Sequence, residues 1–137
     1  GRTSQMTENP AQGGAADQEM LELAERLFDG ARQGNTELLR TYVSAGVPAT
    51  LTNAAGDSLL MLAAYHGHAG TVQLLIDLGA DVNTLNDRGQ SPLAGAVFKG
   101  YADVVRTLLA AGADADTGNP SARATAAYFQ RADLLEG

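Results

Sequence analysis

Residues 51–83 and 84–116 are two copies of one pattern. Aligned without a gap, they share twelve identities in 33 positions: Asn53, Gly56, Ser58, Leu60, Ala63, Gly67, Ala69, Val72, Leu75, Gly79, Ala80 and Asp81 each recur 33 residues later. A period of this length marks a repeat architecture. Each unit is too small to bury a core alone and must stack on its neighbours.

Each copy reads as two short helices joined by tight turns. "NAAG" and "NDRG" are β-turns, with Asn opening the turn and Gly in its fourth place. Ser58 and Ser91 follow as helix N-caps, and Pro92 is preset for the first helical position. Leu60, Ala63, Ala64 and Gly67 fall on one helical stripe, and Gly67 and Gly100 stop that helix. A second helix carries Val72, Leu75 and Ile76, or Val105, Leu108 and Leu109, and ends at Gly79 or Gly112. The pattern predicts an all-α solenoid of stacked helix-turn-helix units with projecting β-turn loops.

"GDSLLMLAAYHGHAGTVQLLIDLGADVN" (56–83) and "GQSPLAGAVFKGYADVVRTLLAAGADAD" (89–116) resemble the ankyrin repeat family. Ser91-Pro92-Leu93 follows the family's T-P-L-H pattern with Ala94 in place of His, whereas Ser58-Leu59-Leu60-Met61 keeps only the cap and the Leu. "GARQGNTELLRTYVSAG" (30–46) fits the same register one unit earlier, on a first helix expected from about Asp17. "SARATAAYFQRADLLEG" (121–137) fits with a loop three residues shorter, its second helix only a stub. The expected organisation is a flexible tail over 1–16, an N-terminal capping unit over 17–50, repeats over 51–83 and 84–116, and a shortened capping unit over 117–137. Residues 1–5 read as an expression scar, with Met6 as the native start and no secretory leader.

Composition narrows the function classes. With 45% hydrophobic but only 5% aromatic residues and no Trp, the core must be Leu, Val, Ile and Ala. The absence of Cys removes disulfides, thiolate zinc sites and a catalytic thiol. It fits a reducing compartment, and a cytoplasmic location is expected. A formal charge of −7 with scattered Lys and Arg argues against nucleic acid or an anionic membrane as partner. The longest apolar run, Leu59 to Tyr65, is too short to span a bilayer.

Three constellations invite a chemical reading. His66 and His68, the only histidines, flank Gly67, but a metal site would need further ligands and none is indicated. His68 stands in the Gly-His turn of the resemblance, which implies a bond to backbone between helices. Ser58, Asp57 and His66 cannot form a nucleophilic set: Ser58 is a cap, and His66 lies about 12 Å along the helix at 1.5 Å per residue. The acidic run Asp17, Glu19, Glu22, Glu25 and Asp29 reads as the wet face of the first helix. No catalysis, cofactor or metal is expected.

One column carries more information. Arg32, Tyr65, Phe98 and Tyr128 stand two residues before the helix-ending position of successive units. Tyr65 lies about 140° around the helix from Leu60 and about 200° from Ala63, off the packing stripe. The resemblance places this column on the concave groove, beside Gln33, His66, Lys99 and Phe129. Phe129 is expected to cover the core at the chain end. Turn tips add Ala54, Ala55, Asp57, Asp87, Arg88 and Gln90. Aromatics in register with polar edges make a binding surface. The expected function is protein–protein recognition by a monomer through Tyr65, His66, Phe98, Lys99, Tyr128, Asp57, Asp87, Arg88 and Gln90. The alternative is a regulatory subunit or inhibitor of one enzyme using the same surface. Metal or small-molecule binding at His66 and His68 is the remaining option.

Overall fold

The computed structural model describes residues 10–136, with side chains from Asp17 onward. Among the described residues there are seven α-helices: α1 (Pro10–Gln33), α2 (Thr36–Ser44), α3 (Leu59–Tyr65), α4 (Ala69–Asp77), α5 (Pro92–Lys99), α6 (Ala102–Ala110) and α7 (Ala122–Tyr128). A 3₁₀ turn over Ala132–Leu135 closes the chain. No strand is formed among them; the turn loops carry only the isolated bridges Thr52–Ser58 and Gly118–Ser121.

Local signals start and stop these helices. The hydroxyls of Ser58, Ser91 and Ser121 accept from the backbone N–H three residues on, at 3.0, 3.0 and 3.1 Å. Each bond satisfies a donor that a helix start leaves orphaned. The turns close as the Asn and Gly positions require: the Gly56 and Gly89 N–H groups donate to the carbonyls of Asn53 and Asn86, both at 3.0 Å. Inner helices end on a left-handed residue: Gly34, Gly67 and Gly100 at φ +75°, +85° and +76°. Gln130 takes that place in the last unit at φ +57°, a conformation that favours glycine.

The helices form two layers. In the inner layer α1 packs on α3, α3 on α5 and α5 on α7; in the outer layer α2 packs on α4, α4 on α6 and α6 on the 3₁₀ turn. Between the layers lies one core, with Leu27, Leu39, Leu60, Leu75, Leu93 and Leu108 almost wholly out of solvent. Leu60 and Leu93, like Leu75 and Leu108, are equivalent positions of successive repeats, so the core repeats with the sequence.

The first helix departs from expectation. It begins at Pro10 rather than near Asp17, so residues 10–16 are helical. Gly13 and Gly14 suggest a linker. However, the second half of α1 is anchored through Leu27, Phe28 and Ala31, and extending an existing helix costs far less than starting one. Pro10 suits the first helical turn, where its missing N–H is not needed. The rest of the expected tail, with the scar and Met6, lies outside the described residues. Asp17, Glu19, Glu22, Glu25 and Asp29 are all exposed, as a wet face requires.

Candidate functional site

The inner helices and turn tips enclose an open hollow of about 690 Å³. Side-chain size creates it. At one inner position the units carry Met61, Ala94 and Ala124; at the next, Leu62, Gly95 and Thr125. The step from Met and Leu to Ala and Gly removes volume from the surface of α5 and α7. Gly95 lies inside α5 with ordinary helical backbone, so its conformation does not call for glycine. What it permits is an approach: a Cβ there would stand 3.1 Å from Tyr65 Cδ1.

The aromatic column borders this hollow. Tyr65 is 39% exposed, Phe98 56% and Tyr128 82%, so none of the three is core. Phe129 is 46% exposed and does not cover the core. It follows α7 at the helix cap and turns to the hollow, edge-to-face with Phe98 at 5.6 Å and with Tyr128 at 5.0 Å between ring centroids. Leu134, from the 3₁₀ turn, is the buried side chain at this end instead. Lys99 Nζ sits 4.9 Å from the Tyr65 ring centroid, a cation–π geometry. Arg32, the first member of the column, pairs with Asp29 at 2.7 Å on its own helix and does not line the hollow.

The turn tips are braced. Asn86 is buried, and its amide donates to Asp57 Oδ1 and Gln90 Oε1, both at 2.8 Å, while its own oxygen accepts from the Arg88 and Gln90 N–H groups. The Asp87 N–H donates to the Ala55 carbonyl of the preceding turn at 3.0 Å. Consecutive tips are thus tied to one another, and Asp57 and Gln90 have structural duties. Arg88 and Asp87 keep exposed side chains.

Of the nine residues singled out from sequence, Asp57, Tyr65, Arg88, Gln90, Phe98 and Tyr128 line the hollow. Lys99 reaches it through the Tyr65 ring, His66 stands edge-to-face with Tyr65 at 5.9 Å, and Asp87 points toward Gly56 on the tip. Sequence reasoning missed Gly95, Ala94, Met61 and Asn86. The signal was in the alignment: a helix-interior Gly standing under Leu62, and a Met replaced by Ala.

The two histidines have separate environments. His68 Nε2 donates to the Arg32 carbonyl at 2.8 Å, bridging consecutive units, and its ring lies over Gly34, where a Cβ would come within 2.6 Å. Tyr101 repeats the arrangement over Gly67. His66 is held below its ordinary pKa of 6.5 by partial burial, then by the nearby charges of His68, Lys99 and Arg32. No group of three His, Cys, Asp or Glu among the described residues is arranged to hold a metal. Ser58 and His66 cap opposite ends of α3, which keeps them from acting together. No described helix is long and apolar enough to cross a membrane.

Inner and outer helix layers, turn tips joined from unit to unit and a recurring Gly-capped inner helix define a class of repeat protein. The family model for ankyrin repeats, in three copies, matches residues 27–119, and the chain belongs to that family. Over 69 residues it is 51% identical to an ankyrin repeat protein of Pseudomonas aeruginosa, covering 50% of this chain and 39% of the relative. Over 56 residues it is 39% identical to GA-binding protein subunit beta-2 of Homo sapiens and of Mus musculus, covering 41% of this chain and 12% and 13% of those proteins. The chain thus matches well under half the length of these relatives. Ankyrin repeats are in general protein-interaction modules and not enzymes.

Proposed function

We propose that this chain recognises a partner protein through the hollow and the adjoining turn tips, without catalysis. The observation that carries the reading is the exposed aromatic column Tyr65, Phe98 and Tyr128 standing around a hollow opened by Gly95. A helix-interior Gly costs about 1 kcal/mol relative to Ala, and here its visible return is the seat of one ring of that column. Aromatic side chains beside a pocket with a polar rim are the usual anchors of protein interfaces. A chain without Cys suits a reducing compartment, which supports the cytoplasm as its place of work.

The test is a triple replacement of Tyr65, Phe98 and Tyr128 by Ser. The melting temperature should fall by only a few degrees, because all three rings are partly solvated already. Capture of the partner from the source cell should be lost, since central aromatics often contribute about 2 kcal/mol or more each. A stable variant that still captures its partner refutes the reading and moves the contact to Asp87 and Arg88. A subunit or inhibitor role uses the same surface. A one-to-one complex with lowered partner activity would establish it.

A further inference from the structure

The charge around the hollow is unlike that of the rest of the surface. The chain carries a formal charge of −7, and most of its cations are neutralised at home. Arg32, Arg40, Arg106, Arg123 and Arg131 each pair with a neighbouring carboxylate. Among the described residues three cations have no carboxylate within ion-pair distance: Arg26, which bonds the Tyr42 hydroxyl, and Arg88 and Lys99. Two of these three border the hollow. Arg88 lines it at the turn tip, and Lys99 lies over the Tyr65 ring at the other end of α5.

Two acidic groups share the tip with Arg88, and among the described residues none lies within ion-pair distance of Lys99. Asp57 is held by the Asn86 amide, and Asp87 is turned toward the Gly56 backbone. Both stand at the tip, so the Lys99 end is the more electropositive one. The eight residues of α5 separate the two cations, so they are on the order of 15 Å apart at 1.5 Å per helical residue plus the turn. An extended peptide covers that distance in about five residues.

Resting on the reading above, we propose that the hollow receives an acidic, apolar peptide segment of the partner. It lies along α5 with a large apolar side chain in the hollow between the Tyr65 and Phe98 rings, and with carboxylates meeting Lys99 and Arg88. Apolar contact supplies residence in the site, and the two cations set direction and steer association. A basic or purely apolar segment would leave both cations without partners.

A random twelve-residue peptide library displayed on phage, panned on the whole chain, tests this. Selected peptides should carry Leu, Ile, Phe or Trp flanked by Asp or Glu about five residues apart. A synthetic peptide of the selected sequence should bind tenfold or more weakly to Lys99→Glu and to Phe98→Ser, and more weakly as salt rises. If Lys99→Glu does not fold, Lys99→Gln should still lose several-fold. Selected peptides without acidic residues that lose binding in Phe98→Ser and not in Lys99→Glu would overturn this proposal while leaving the hollow as the site. Peptides indifferent to Phe98→Ser as well would overturn the underlying reading too. Failure to enrich any peptide, or a stable dimer in sedimentation with the hollow covered by a second copy, would also overturn it.

Discussion

Replacing Gly95 by Ala separates two effects that the hollow sets against each other. The helix should gain about 1 kcal/mol, the difference in propensity between Ala and Gly at an interior position. The new Cβ would meet Tyr65 Cδ1 at 3.1 Å, with Cε1 at 3.8 Å and Met61 Sδ at 4.0 Å. Only the first contact is too close. The Tyr65 ring is 39% exposed and has an open side, so it can yield by a few tenths of an ångström. A modest departure from its rotamer costs about 0.5 kcal/mol. The net is a gain of about 0.5 kcal/mol. With about 2.1 cal/mol/K per residue of unfolding entropy over a folded unit of about 120 residues, the melting temperature rises by roughly 2 °C. Urea unfolding followed by far-ultraviolet circular dichroism should show a higher midpoint at unchanged slope. The same substitution should weaken groove binding, because it moves Tyr65 into the space a partner would fill. Destabilisation by more than about 1 kcal/mol would refute the reasoning, since Tyr65 would then be wedged as a core residue is.

Leu75→Ala should cost about 2–5 kcal/mol, because Leu75 is wholly buried between stacked units and its cavity cannot close; an unchanged urea midpoint would contradict the register. Unfolding should remain one transition by calorimetry, each unit needing its neighbours. Gln130→Gly should stabilise by about 0.5–1 kcal/mol, the left-handed strain relieved exceeding the entropy Gly adds to the unfolded chain; a lower melting temperature would count against it. For His66 the folded pKa lies below the unfolded 6.5, so folding favours the neutral ring. Its contribution is present above 6.5 and is lost as pH falls through the window beneath it. An NMR titration midpoint at or above 6.5 would refute this, as would an acid-side stability loss that His66→Gln leaves unchanged. Changing His66 and His68 to Gln should leave metal content as it was, and a one-site zinc isotherm of micromolar affinity, abolished in that variant, would overturn the expectation.

The helices were legible in the sequence because their determinants are local. A Ser cap bonds a backbone three residues away, a stripe at 3.6-residue spacing defines its buried face, and a Gly ends the helix within itself. The stack was legible because a 33-residue period repeats all of these at once. The aromatic column could be placed off the packing stripe for the same reason, by angle around one helix. What tertiary structure decided depends on groups brought together from different units. The depth of the hollow follows from Met61, Ala94 and Ala124 lying side by side on three helices, so Gly95, a weak helix residue in sequence, becomes the seat of a ring 30 residues earlier. Phe129 turned out to the hollow because Phe98 offers its ring an edge and Leu134 already closes the core. His68 found its partner in a carbonyl of the preceding unit, and Arg88 and Lys99 were left without carboxylates because no acid reaches them across the turns. A single chain records spacing along itself; distances between stacked helices, and the charge balance they enclose, exist only once the units have packed.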